Sequence, residues 1–176
     1  MRIVAGKYKG RTLYGFDGTD IRPTSDMARE SLFNILQTRI AGANFLDLFC
    51  GSGAVGIEAL SRGASWVTFN DLDAYSAKLT QKNLEKVGAT DYDLRRGDGV
   101  DFLRRTDKKY DIIFIDPPYK SDLGERALKE VQNALSEDGI VIYENEKPFE
   151  GVIDGLSICD ERKYGRARLT FFKREK

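Results

Sequence analysis

"LDLFCGSGAVGIEAL", residues 46–60, passes from an apolar strand through a glycine loop into a helix. Gly51, Gly53 and Gly56 satisfy G-x-G-x-x-G in the strand–loop–helix setting that makes this spacing informative. Glycine lets the backbone turn tightly and approach a ligand, and the helix behind it presents free N–H groups. Further on, "FNDLDAYS" puts Asp71 at the end of a second strand, where a carboxylate accepts hydrogen bonds from both hydroxyls of a ribose. "RRGDGVDFL" supplies Asp98 after a third strand, well placed for an adenine amino group. A nucleoside ligand follows. The glycines alone would suit a dinucleotide, but Asp47 sits just ahead of the loop, inside the crevice, where its charge suits an ammonium or sulfonium better than a pyrophosphate. Three acids in one nucleoside crevice favour a cationic cofactor, and S-adenosylmethionine is the common one.

Outward from this stretch, strand-like runs at 44–49, 66–71, 111–116 and 140–144 alternate with helical segments at 26–40, 53–62, 73–87 and 123–135. Ala28, Leu32, Ile35, Leu36 and Ile40 recur at helical spacing behind the capping residues Thr24 and Ser25, and Gly63 and Gly88 close two of the other helices. Strict alternation predicts an α/β, Rossmann-like sheet, mostly parallel, with helices on both faces. The ends depart from it. "GLSICDERKYGRARLTFFKRE" reads as an antiparallel C-terminal hairpin turning near Gly165, and "RIVAGKYKGRTL" as a short N-terminal β-hairpin. One domain over residues 1–176 is expected, with 1–24 as a hairpin extension and 25–176 as the core.

No apolar run approaches the ~20 residues that span a bilayer, and no apolar leader follows the first basic residue, so a soluble, intracellular, unprocessed protein is expected. Histidine is absent, which argues against serine–histidine hydrolysis and the usual zinc catalysis; no metal is expected. Cys50 and Cys159 have no metal-site spacing and read as reduced packing residues. The formal net charge is zero, but the sign is unevenly spread. Arg2, Lys7, Lys9 and Arg11 stand without acids in residues 1–13, and Arg166 and Arg168 belong to a basic C-terminal segment, so the ends are positive and the body negative. On charge alone, these ends are either a phosphate-binding surface or solvated segments that balance an acidic body.

"DIIFIDPPYK", residues 111–120, ends a doubly buried strand on an acid, two prolines and an aromatic ring. A simple exit from a sheet needs one glycine or proline, not all four features. With "LDLFCGSG", "FNDLD", "GD" and "DPPY" in order, the chain resembles class I methyltransferases of the amino-methylating type. "MRIVAGKYKGRTL", "RPTSDMARESLFNIL" and the terminal "KYGRARLTFF" extend the likeness to the RsmD family, whose members methylate the exocyclic N2 of a guanine in bacterial small-subunit ribosomal RNA.

The resemblance implies S-adenosylmethionine as cofactor, S-adenosylhomocysteine as product, and ribosomal RNA as partner, probed as naked RNA or within a small-subunit particle or assembly intermediate. It also implies a cytoplasmic protein, with a monomer expected. Asp71 would hold the ribose, Asp98 the adenine amino group, Phe49, Gly51 and Gly53 the loop around the methionine part, and Asp47 its amino end, with Leu72 and Gly99 also among the cofactor-binding residues. Arg22 and Thr24 of "RPT" would reach toward the reacting groups, and Arg11, Pro118, Arg166 and Arg168 would meet RNA. Asp116 and the Pro117 carbonyl would accept hydrogen bonds from a base amine, whose lone pair must leave the ring before it can attack. Tyr119 would stack on the flipped base. DNA or RNA adenine-N6 methylation shares "DPPY" and stays open as an alternative. A nicotinamide dehydrogenase leaves "DPPY" unexplained, and a non-catalytic RNA-binding module that uses the basic ends is told apart by whether methyl transfer occurs at all.

Overall fold

A computed structural model describes residues 1–16 and 23–176, with side chains from residue 26 onward in the second segment. Five strands alternate with helices as expected: β1 (Asn44–Asp47), β2 (Trp66–Asp71), β3 (Tyr92–Arg96), β4 (Tyr110–Ile115) and β5 (Leu135–Asn145). The helices are α1 (Pro23–Leu36), α2 (Ala54–Ser61), α3 (Ala74–Val87), α4 (Gly99–Arg105) and α5 (Leu123–Glu130). The C-terminal hairpin is β6 (Leu156–Tyr164) and β7 (Ala167–Arg174). The seven strands form one sheet in the order β3-β2-β1-β4-β5-β7-β6. β1 to β5 pair in parallel, and β7 joins β5 and β6 antiparallel.

Side chains alternate across the pleat and feed two cores. Ile112 and Phe114 of β4 face one core with Phe45, Phe69 and the α1–α2 residues Leu36 and Ile57. Ile113 and Ile115 face the other with Leu46, Val141 and the α4–α5 residues Leu103 and Leu128. Burial on both faces explains why these strands read as unbroken apolar runs rather than alternating ones.

Three expectations shift. The helix expected over 123–135 ends at Glu130 and tightens into a 3₁₀ turn, Val131–Asn133, so that β5 begins at Leu135. The α4 helix went unseen because its seven residues are too short to show a period. The N-terminal hairpin is reduced to one antiparallel bridge between Arg2 and Thr12. Ile3 N–H to the Arg11 carbonyl at 3.0 Å and Leu13 N–H to the Met1 carbonyl at 2.8 Å flank that bridge, and α2 anchors the segment as well: the buried Glu58 carboxylate accepts the Val4 and Ala5 N–H groups at 3.0 and 3.2 Å, and Ser61 Oγ accepts the Tyr8 N–H at 2.9 Å.

Candidate active site

Strand order reverses between β1 and β4, and the crevice outside the carboxyl ends of the strands at such a switch point is where α/β sheets bind ligands. A cleft of about 1850 Å³ opens there. Acids stand at or just beyond the ends of all five parallel strands: Asp47, Asp71, Asp98, Asp116 and Glu144, and all five line the cleft.

The glycine loop is built around two of them. Gly51 and Gly53 take left-handed φ values of 55° and 80°, which side-chain-bearing residues rarely adopt. A Cβ on Gly56 would lie 2.2 Å from the Phe69 ring, so glycine lets α2 press onto β2. Asp71 accepts the Gly51 N–H at 2.9 Å and the Asp73 N–H at 3.0 Å, and it remains half-buried at the cleft. Behind it, the buried Asn70 amide donates to the Leu48 and Gly97 carbonyls at 3.2 and 3.0 Å, tying the ends of β1, β2 and β3 together.

Asp47 is 1% exposed and accepts the Gly56 N–H at 3.0 Å, so one of its oxygens caps α2 rather than facing a ligand. Burial pushes its pKa up to about 7, against the pull of the Gly56 N–H, and the Asp71 charge adds to the rise. Asp98 caps α4 through the Asp101 N–H at 2.9 Å. Leu72 is 63% exposed beside it, and the Phe49 ring packs so close to Gly99 that a Cβ there would lie 3.1 Å away. Leu72, Phe49 and Gly99 therefore offer apolar surface for a flat ring, with Asp98 at its edge. Gly53 lies under the loop, where a Cβ would press on Thr80 at 2.9 Å. Cys50 is buried, with Sγ 3.4 Å from Thr80 Oγ1, and burial pushes its thiol pKa up, consistent with packing.

On the other side of the cleft, Asp116, Pro117, Pro118 and Tyr119 follow β4 along the rim. The Asp116 side chain is open to the cleft. The protein around it raises its pKa, and the charges of Glu144 and Asp47 raise it further. Water in the open cleft softens that push, and a base seated against Asp116 would remove that water. Tyr119 OH bonds to Glu146, which links the rim to the loop after β5. Burial also raises the Glu144 pKa.

The expected RNA contacts divide. Arg166 sits exposed on the cleft rim, whereas Arg168 pairs with Glu161 at 2.6 Å within the hairpin. Arg11 lies away from the cleft and donates to the Val87 carbonyl at 2.7 Å, its guanidinium 5.6 Å from the Tyr8 ring centre. Arg22 and the Thr24 side chain fall outside the described residues. Glu144 went unread in the sequence. Its signal was the same as for Asp116, an acid directly after a buried apolar run.

A family model described as Conserved hypothetical protein 95 matches residues 1–173. The chain belongs to that family, the RsmD family. Among its relatives is the ribosomal RNA small subunit methyltransferase D of Haemophilus influenzae, 37% identical over 84% of this chain and 79% of its own. The protein of the same name from Escherichia coli K12 is 34% identical over 99% of this chain and 90% of its own. The solved structure of the Escherichia coli protein yhhF superposes with a TM-score of 0.88 at 30% identity, covering 100% of this chain and 98% of that one. The RsmD-family resemblance read from the motifs therefore holds, and so does the mostly parallel sheet with its antiparallel hairpin. Among the described residues, no helix is long and apolar enough to cross a membrane, and no group of three or more His, Cys, Asp or Glu side chains is arranged to hold a metal ion.

Proposed function

We propose that the protein transfers a methyl group from S-adenosylmethionine to the exocyclic N2 amine of a guanine in small-subunit ribosomal RNA. The observation that carries this reading is Asp116, an open carboxylate at the rim of an acid-lined nucleoside crevice, followed by the Pro117 carbonyl. The names of the RsmD-family relatives support ribosomal RNA as the substrate class. Residues 1–176 act as one methyltransferase domain in this reading, in the cytoplasm where ribosomal subunits are assembled.

The residues present fit the cofactor. Asp71 keeps acceptor capacity after taking the Gly51 and Asp73 N–H groups, as a ribose requires. Asp98 has a second oxygen for an adenine amino group, Leu72 and Phe49 provide apolar contact, and the bare Gly51 backbone meets the methionine part. Asp47 lines the crevice from beneath the loop, one oxygen taken by the Gly56 N–H and the other left for the amino end. When bound, S-adenosylmethionine supplies an electrophilic methyl group, keeps the sulfur–carbon electron pair and leaves as S-adenosylhomocysteine.

The chain's own part is to prepare the amine. Asp116 and the Pro117 carbonyl accept its two N–H groups, which draws the nitrogen lone pair out of the ring and stabilises the positive charge that grows on nitrogen until one of those N–H protons leaves to give the neutral methylated amine. Two prolines keep that carbonyl aimed. Tyr119 offers its ring to the flipped base, and its bond to Glu146 holds the ring at the rim. Arg166 stands at the cleft edge for a phosphate.

The test is to offer labelled S-adenosylmethionine with small-subunit particles, naked ribosomal RNA and DNA, then identify the labelled nucleoside. N2-methylguanosine in ribosomal RNA is the expected result. N6-methyladenine, or no transfer to any of the three, overturns the reading.

A further inference from the structure

Parallel pairing of β4 and β5 sets Ile115 opposite Tyr143, so Asp116, the first residue beyond β4, comes beside Glu144, which stays in β5 and pairs with Leu169 of β7. Neighbouring strands lie about 4.8 Å apart, and residues in register point to the same face. Both side chains line the cleft. Among the described residues, neither carboxylate accepts a hydrogen bond or forms an ion pair, although Arg166, Lys147 and Lys120 also line the cleft. Two adjacent unpaired acids repel each other, and each raises the cost of ionising its neighbour. The pair is therefore relieved by a ligand that brings N–H donors on two adjacent atoms.

The edge of guanine has that pattern: the N2 amine carries two N–H groups, and the adjoining ring nitrogen N1 carries one more. Adenine has the opposite pattern beside its amine, where N1 presents a lone pair. Asp116 and the Pro117 carbonyl receive an amine from either purine, so "DPPY" does not distinguish the two. The residue facing N1 does. We propose that Glu144 accepts the N1–H of the target guanine and is the specificity-determining residue that selects guanine over purines whose N1 bears a lone pair. This rests on the guanine-N2 reading above and adds the group that enforces it. Above about pH 7, where Glu144 is ionised, setting it against a lone pair leaves two acceptors facing each other in a dehydrated site, the kind of mismatch that costs far more than a missing methylene.

2-Aminopurine isolates the contact, because it keeps the reacting N2 amine but has a lone pair at N1. The guanine that the wild-type protein methylates is located first, and RNA is then prepared with 2-aminopurine at that position, naked or assembled as the wild type requires. Single-turnover rates on both RNAs are compared for wild type and Glu144→Gln, with melting curves to confirm that the variant is folded. Wild type should be slower on 2-aminopurine by about 100-fold, and Glu144→Gln should narrow the gap to within about 10-fold, because its amide both donates and accepts. Wild type working equally fast on both RNAs overturns the proposal without any variant. So does a Glu144→Gln protein that keeps the wild-type ratio, or one whose two rates fall by the same factor. If wild type methylates no guanine at all, the failure lies in the underlying guanine-N2 reading, and it is visible before any purine is exchanged.

Discussion

Asp71 accepts the Gly51 N–H at 2.9 Å across 20 residues of chain, so this cleft acid and the glycine loop are one hydrogen-bonded unit. The loop's left-handed turn aims that N–H, and the carboxylate in turn pins the loop. Asp71→Ala should therefore lose the charged acceptor for the ribose and loosen the loop as well, weakening S-adenosylmethionine binding by about 1 to 3 kcal/mol. Asp71→Asn, which keeps an oxygen for Gly51, should lose less. Titration calorimetry measures both, and an unchanged affinity in Asp71→Ala would remove this residue from the site.

Asp47 predicts a pH dependence of stability. Its carboxyl is buried, and its pKa rises from the ordinary 3.8 to about 7. The folded protein therefore holds a proton that the unfolded chain has released, and stability falls as pH rises through the window between those values. Asp47→Asn keeps an acceptor for the Gly56 N–H but never ionises. Relative to wild type, its melting temperature should be higher at pH 8 than at pH 4. An equal difference at the two pH values would show that Asp47 is not the source.

The parallel core and the strand-end acids that line the cleft were readable because each depends on local signals: buried apolar runs, glycines that close helices, and an acid at a strand's end. What stayed hidden depends on contacts between distant segments. The N-terminal hairpin is held by Glu58 and Ser61 of α2 as well as by its own cross-strand bonds, and a sequence distance of more than 50 residues hides the α2 contacts. Glu144 gains its meaning only from the β4–β5 register. Arg166 and Arg168 look alike in "YGRARL", yet the hairpin turn puts one on the cleft rim and hands the other to Glu161.

That division separates two substitutions that the sequence treated as equivalent. Arg166→Ala should remove about one phosphate contact, reducing the slope of log affinity against log salt by roughly 0.7 to 0.9 while melting is unchanged. Arg168→Ala strands Glu161 and should lower the melting temperature with a smaller change in the salt slope. Binding measured across a salt series, alongside melting curves, distinguishes the two. Equal slopes for Arg166→Ala and wild type would return Arg166 to a solvated charge.

The reacting end of the cleft carries the most specific prediction. If Asp116 works by accepting the amine's hydrogen bond as charge develops, Asp116→Ala should lower the single-turnover rate by about 100-fold or more, the scale of losing one preorganised polar contact. RNA affinity should change much less, because phosphate contacts elsewhere carry most of it. The ionised carboxylate accepts the bond more strongly than the neutral acid and alone balances the growing positive charge, and its pKa lies above the ordinary carboxylate value, held up by the surrounding protein and by Glu144 and Asp47. Acidification should therefore slow the wild-type reaction at a higher pH than an ordinary aspartate would, and Asp116→Ala should lose that inflection. Tyr119 tests a different contribution. Tyr119→Ala removes the stacking ring and should impair both RNA capture and rate, whereas Tyr119→Phe keeps the ring and loses the hydroxyl with its exposed bond to Glu146, which should cost a few-fold at most. A folded Asp116→Ala protein that methylates RNA at the wild-type single-turnover rate would sink the mechanism, since no other side chain on the β4 rim offers a carboxylate in register with Glu144.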